Sequence, residues 1–248
     1  MVLERLLAAI EREERAVLLT VIEGEPLGAH MLVLEGGEQV GEGVPEEVVA
    51  QADDLIRGHR NLVVDTAGAK VFAEIYAPPP RLLVYGAVDT AEALCRAANL
   101  LGWRTIVADA RQKFATRDRI PSATELIVAW PDEALAQVAP DHATAVVVLT
   151  HDDKFDIPAL RGALQTEAFY VGALGSRRNQ ERRRGRLLEA GVTEEAFERI
   201  SGPCGLDLGA DSQPETALSM LAEIVAVRAG REGGPLKTAK KRIHAEVD

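Results

Sequence analysis

The sequence predicts a doubly wound α/β fold, a parallel sheet with helices on both faces, standing behind a smaller α+β domain. Three observations predict it. From Arg81 onward, short continuous apolar runs alternate with helical segments, as in parallel strands covered on both faces. Before that point, helices accompany strands that read as mainly antiparallel. Between the two lies Pro78-Pro79-Pro80, a stiff linker. The expected organisation is a domain over 1–77, a second over 81–230, and a polar tail over 231–248. No internal repeat is visible.

In the first domain, Leu3, Leu6, Leu7 and Ile10 recur at helical spacing and predict an amphipathic helix over 2–15. Strands are expected over 16–22 and 30–34, broken by Gly24-Glu25-Pro26 and closed by Gly36-Gly37. Pro45 suits the first turn of a helix, and Glu46 and Glu47 suit its positive end. That helix is expected to run to Arg57 and stop at Gly58; strands over 62–64 and 71–76 complete the domain.

In the second domain the strands are expected over 82–85, 105–108, 126–129, 145–149 and 169–172. Helices are expected over 90–101, 132–138, 157–165, 177–190 and 194–200, and a long apolar one over 216–228 opened by Gln213-Pro214-Glu215. The first strand, the turn Gly86-Ala87-Val88-Asp89-Thr90-Ala91, the helix and the strand ending in Asp109 follow the plan of a dinucleotide-binding βαβ unit. The glycine fingerprint is broken, however. Val88 stands where a second glycine would let the backbone approach a pyrophosphate. Asp89 is expected to cap the helix and repel an anion. Asp109 stands where an acid would bind a ribose hydroxyl, or is a polar strand end. NAD(P) is therefore disfavoured by Val88 and Asp89.

Composition excludes several classes. A net charge of −11 argues against nucleic-acid binding and anionic-membrane binding. Two cysteines form neither a disulfide framework nor a zinc spacing, so a reducing cytoplasm is the expected home. The charged N-terminus does not read as a signal peptide, and no apolar run approaches a membrane span of roughly 20 residues.

Ligands on open parallel sheets sit beyond the carboxyl ends of the strands. Besides Gly86 and Asp109, three strand ends supply candidate binding residues: Thr150, His151 and Asp152; Gly172, Gly175, Ser176, Arg177 and Arg178; and Asp207 in the loop 201–210. Gly172 and Gly175 permit unusual backbone angles, Ser176 can cap the next helix, and the two arginines add fixed positive charge, which together make an anion cradle. The alternative for Arg177 and Arg178 is a solvated basic face, since Arg182, Arg183, Arg184 and Arg186 continue the run. His151 beside Asp152 suits acid–base work or a metal, but it has no partner at ligand spacing, so a turn is the alternative. Cys204 fits its glycine- and proline-rich loop as a space-filler or as a soft ligand. No catalytic or metal-ligating residue is assigned.

The runs Val146–Asp156 and Phe169–Arg178, then Gly202-Pro203 with Gly205–Ala210, resemble the XdhC/CoxI family, accessory proteins of xanthine dehydrogenase and related molybdenum hydroxylases. Ala129-Trp130-Pro131-Asp132-Glu133-Ala134-Leu135 also fits, and the resemblance spans 81–228. It implies a Rossmann-like C-terminal domain behind a small N-terminal one. It implies binding of molybdenum cofactor (molybdopterin), its protection during sulfuration, and its insertion into an apo molybdenum hydroxylase. A cysteine desulfurase and a second copy of the chain are further candidate partners. The chain departs from the family pattern twice. Val88 and Asp89 replace a glycine and a histidine. In the first domain, Gly24–Leu27 and Gly41–Glu46 stand in for a Gly-Ser-x-Pro-Arg segment and a Gly-Gly-Cys, leaving no thiol there. Two other readings stay open: a small NAD(P)-dependent oxidoreductase, and an interaction module that kept the fold without the ligand.

Overall fold

The computed structural model describes residues 1–239. The chain divides into two compact units, Met1–Pro78 with residues 236–239, and Pro79–Pro235. Residues 240–248 of the expected polar tail lie outside the described residues; within them, Leu236–Thr238 forms one 3-10 turn.

The first unit contains α1 (Val2–Glu11), β1 (Ala16–Gly24), β2 (His30–Leu34), β3 (Gln39–Gly41), α2 (Glu46–Val49), α3 (Ala52–Gly58), β4 (Leu62–Asp65) and β5 (Ala69–Tyr76). Its strands form one antiparallel sheet in the order β3-β2-β1-β5-β4. Alternation splits the side chains of the sheet. Val17, Leu19 and Val21 face Val48, Leu55 and Ile56 of the short helices, while Leu32 and Leu34 pack with Leu6 and Ala9 of α1. Two expectations change here. The first helix stops at Glu11, because the chain turns through Glu13 at φ 55° to enter β1. The single helix expected over 45–57 is two, broken at Ala50-Gln51, which lets Val48, Ala52 and Ile56 all face the sheet.

The second unit contains β6 (Arg81–Tyr85), α4 (Asp89–Leu100), β7 (Arg104–Ala108), β8 (Glu125–Ile127), α5 (Pro131–Val138), β9 (Thr144–Val148), α6 (Asp153–Leu164), β10 (Tyr170–Ala173), α7 (Arg177–Glu189), α8 (Glu194–Phe197), β11 (Ile200–Ser201) and α9 (Gln213–Arg228). All six strands are parallel, in the order β8-β7-β6-β9-β10-β11. Counted within the unit this is 3-2-1-4-5-6, with the strand order reversing between β6 and β9. The strands are apolar on both faces, as β9 shows by being buried at every position. One face carries α5, α6, α7 and α8 on Leu83, Val146 and Val171; the other carries α4 and α9 on Leu82, Val84 and Val147. The two-residue β11 was not expected, and α6 starts four residues earlier than expected, at Asp153. Among the described residues, no helix is long and apolar enough to cross a membrane.

Candidate ligand-binding rim

Because the strands are parallel, the ends of β6, β7, β9, β10 and β11 open on one rim. The first turn on it is closed. Gly86 has φ 115°, and a Cβ there would lie 2.8 Å from Thr150 Cγ2 and 3.1 Å from the Thr150 backbone nitrogen. Its missing side chain therefore lets β6 and β9 meet at the switch point rather than making room for a ligand. Asp109 is buried. Its carboxylate accepts from the Ala87 N–H at 3.0 Å and the Arg111 N–H at 2.9 Å, and takes the Arg111 guanidinium in two further bonds at 2.9 and 2.8 Å. Burial alone would raise this carboxyl; the Arg111 guanidinium and the two backbone N–H groups outweigh it and hold it below the ordinary range. Asp109 thus ties the first turn to the loop after β7. Asp89 is not the helix cap expected of it. The cap position is Val88, in extended backbone, and Asp89 is the first helical residue, exposed and 3.5 Å from Arg119.

A second set of contacts links β9 to β10. The Thr150 hydroxyl donates to Asp156, and Asp156 also accepts from Arg183 Nη2 at 3.0 Å. The same Nη2 donates to the Leu174 carbonyl at 3.1 Å, and Nη1 donates to Gln180 at 2.9 Å. Thr150, Asp156 and Arg183 are all buried. Burial is the largest influence on the Asp156 carboxyl and pushes it up, against the pull of Thr150 and Arg183. Arg183 therefore fixes the start of the next turn from below. That turn has Gly175 at φ 146° and Ser176 as the cap of α7, its hydroxyl accepting from the Asn179 N–H at 3.2 Å. Arg177 and Arg178 follow, exposed. Arg182, Arg184 and Arg186 each have an acidic partner, Asp153 or Glu194; Arg177 and Arg178 make no ion pair among the described residues. Gly172 differs from its expected role. It lies inside β10 with no unusual φ, and its bare Cα leaves space for the Tyr170 ring, 2.6 Å from where a Cβ would stand.

The loop 201–210 is held at its middle. Cys204 N–H donates to the Ala173 carbonyl at 3.0 Å, Gly205 N–H donates to Glu223 at 2.8 Å, and the Tyr170 hydroxyl donates to the same Glu223 oxygen. Ser219 and Leu206 exchange hydrogen bonds. Beyond this anchor Asp207 is exposed. Burial, with Glu223 nearby, pushes the Cys204 thiol up to about 12, so the free thiol is protonated at neutral pH. Asp152 caps α6, accepting from the Lys154 N–H at 3.0 Å, and His151 stands exposed beside it. Among the described residues no group of three or more histidines, cysteines or acids could hold a metal ion. Asp109 is thus held in the first set of contacts and Thr150 in the second, the two meeting where Gly86 packs on Thr150, while His151, Asp152, Ser176, Arg177, Arg178 and Asp207 face solvent.

Four residues that are not among the candidate binding residues organise this rim: Arg111, Asp156, Glu223 and Arg183, the last read from sequence as part of a solvated basic run but buried here. Glu223 carried a legible signal, as a lone acid within the apolar stretch of α9. Asp156 and Arg183 carried none, because their pairing spans 27 residues.

The first unit holds two open clefts of about 510 and 670 Å³. Both include Glu42 and Gly43, and the remaining ionisable groups lining them are Glu46 and His30. Gly43 brings the loops together: a Cβ there would lie 2.8 Å from Ala29 Cβ and 3.1 Å from Pro26 Cγ. With acids and no lysine or arginine on their walls, these clefts repel phosphate.

Strand order and rim together define a Rossmann-type domain whose first turn is occupied by its own side chains. The chain belongs to the XdhC family: the family model of the XdhC Rossmann domain matches residues 82–224. It is 32% identical over 174 residues to uncharacterized protein YqeB of Escherichia coli K12, covering 68% of this chain and 31% of that protein. It is 32% identical over 158 residues to a probable xanthine dehydrogenase subunit of Bacillus subtilis 168, covering 64% and 46%. It is 32% identical over 157 residues to the molybdenum cofactor insertion chaperone PaoD of E. coli K12, covering 63% and 43%. The chain thus matches less than half the length of each of these relatives. A solved xanthine dehydrogenase structure from Bacillus halodurans superposes with a TM-score of 0.70 at 24% identity, over 93% of this chain and 67% of that one, and shares the fold.

Proposed function

We propose that this chain is an accessory protein that binds molybdenum cofactor as cargo and assists its maturation and insertion into an apo hydroxylase of the xanthine dehydrogenase type. The cargo sits on the rim formed by residues 150–156, 172–178 and 205–210. The observation that carries this reading is the turn into α7. Arg177 and Arg178 are exposed cations without acidic partners, in the first turn of a helix whose free N–H groups attract an anion. A pterin cofactor carries a phosphate that meets both. Both cysteines, Cys95 and Cys204, are buried, so neither presents its sulfur to a cargo on the rim. The chain therefore grips the organic part of the cargo and leaves the metal to other ligands. Two free, buried thiols also suit a cytoplasmic setting. A cysteine desulfurase and a second copy of the chain remain candidate partners on family grounds alone.

A nicotinamide dinucleotide fits less well. Val88 fills the approach path, the α4 N-terminus faces the chain's own Asp89, and the Asp109 carboxylate is committed to Arg111 and Ala87. Equilibrium binding of NAD(H), NADP(H) and molybdopterin to the purified chain tests the proposal. Molybdopterin is expected to bind, and Arg177→Ala to weaken it roughly tenfold to a hundredfold, the scale of a charge-assisted hydrogen bond. Micromolar NAD(P) affinity, or molybdopterin binding indifferent to Arg177, would overturn it.

A further inference from the structure

The two tryptophans of the second unit have opposite surroundings. Trp103 is 6% exposed and packs edge-on against Phe169 at 6.3 Å. Trp130 is 42% exposed, at the point where β8 gives way to α5, with Val128 exposed beside it. Its position is rigid. Pro131 starts α5 directly after it, and its ring lies 5.3 Å from the buried Phe155, which itself lies 6.5 Å from Tyr85. Surrounding this aromatic layer are cations. Lys154 Nζ stands 4.7 Å from the Trp130 ring centre and 5.6 Å from that of Phe155; the Arg111 guanidinium is 5.5 Å from Phe155. Lys154 makes no ion pair among the described residues, although acids flank it in sequence. Asp152 caps the backbone of α6, and Asp153 is engaged by Arg182 at 3.3 Å.

We infer that Trp130 and Lys154 form a subsite for a planar, carbonyl-bearing heteroaromatic ring, the part of the ligand remote from its phosphate. The inference rests on the rim reading above and deepens it. An exposed, pre-positioned indole is a stacking face that orders no new side chain on binding. An ammonium held over the ring by cation–π attraction, and not neutralised by an acid, is available to a ring carbonyl or ring nitrogen of a guest stacked on the exposed part of the indole. The placement matches a ligand with an anionic end. Lys154 and Phe155 lie in the first turn of α6, and the Asp153–Arg182 pair joins that turn to α7, whose first residues are Arg177 and Arg178. Two sources carry such a ring, a pterin and a nucleobase, and both require the same platform.

The test uses the full chain labelled with ¹⁵N, in which two tryptophans give two indole N–H signals and Trp103→Phe assigns them. Neopterin, a pterin without phosphate, and the nucleotides CMP and GMP, whose bases carry a ring carbonyl, are titrated separately. The Trp130 signal is expected to move and saturate while that of Trp103 stays still. Lys154→Met is expected to weaken binding several-fold. Trp130→Leu, whose binding is followed by calorimetry because its indole signal is gone, is expected to weaken it roughly fivefold to a hundredfold, the scale of one lost ring stack, with the Trp103 signal reporting that the fold is intact. Saturation by neopterin alone names the pterin as the guest, and saturation by nucleotides alone names the base; either supports the subsite. No saturable movement by roughly 10 mM, the weak end for fragments of this size, overturns it, as does unchanged affinity in Trp130→Leu. If ring binding fails while Arg177-dependent molybdopterin binding persists, only the ring subsite is lost; if both fail, the rim reading falls with it.

Discussion

The turn from β6 into α4 and the turn from β10 into α7 share a backbone plan. Each has a strand, a glycine with positive φ (115° at Gly86, 146° at Gly175), a cap residue in extended backbone, and a helix of 12 or 13 residues. Their charges are opposite. At the first, Asp89 sits in the opening turn of α4 facing Arg119, and Asp109 accepts the N–H of Ala87 and the fork of Arg111. The protein supplies its own anions there. At the second, Ser176 satisfies one N–H, and the side chains that follow are two cations with no acid beside them. The fold makes both turns able to hold an anion; side-chain chemistry leaves one of them open. Family membership and strand order alone would have pointed to the first turn.

This contrast can be broken or sharpened by substitution, starting with the largest expected effect. Asp156→Ala removes the carboxylate beneath the second turn and leaves the buried Arg183 without its charge partner. A loss of about 3–5 kcal/mol is expected, read by urea denaturation, because an uncompensated buried cation is costly. A loss under about 1 kcal/mol would show that Arg183 is solvated and does not support the turn from below.

Next is Asp109→Asn, which removes the anion that holds the first turn shut, at a cost of about 1–3 kcal/mol at neutral pH. The sign of its pH dependence follows from the lowered folded-state carboxyl. Such a group contributes stability in full above its unfolded value of about 3.9 and loses it as pH falls toward the folded value. The stability gap between the native chain and Asp109→Asn is therefore expected to be constant from pH 8 to about pH 5 and to shrink below about pH 4. A gap that grows on acidification would contradict the assignment.

The third change opens the first turn. Val88→Gly with Asp89→Asn removes the branched side chain and the repelling charge, and is expected to raise ADP or NAD affinity detectably in calorimetry. The gain is small, because Asp109 stays committed to Arg111. Adding Arg111→Ala to the pair frees that carboxylate, and a further rise in affinity for NAD is expected; none would mean that the close approach of β6 to Thr150, and not charge, excludes the ligand. The smallest effect concerns folding of Arg177→Ala. Its charge opposes the helix dipole, so the empty protein is expected to melt unchanged or more stable by a few tenths of a kcal/mol.

What the sequence determined by itself follows from local chemistry. Continuous apolar runs such as Val146–Leu149 specify strands buried on both faces, and glycine after strand specifies the turns. The run Gly172–Arg178 with Ser176 at its cap placed an anion-compatible helix start, and loop motifs specified the family. These signals lie within a few residues of one another, so one stretch of chain contains them whole. Where packing chose among local options, sequence was a weaker guide: the helix over 45–57 broke so that Val48 and Ile56 both reach the sheet, and Asp89 moved from cap to first helical residue. Only the tertiary structure decided how polar groups are spent. Asp109 reads as a ribose ligand until Arg111 folds back onto it, and Thr150 reads as a ligand donor until Asp156, itself held by Arg183 of α7, takes its hydroxyl. A buried carboxylate must find a partner or stay neutral, and packing chooses that partner: for Asp109 a side chain two residues on that turns back rather than out to solvent, for Asp156 one 27 residues on that local pattern does not encode.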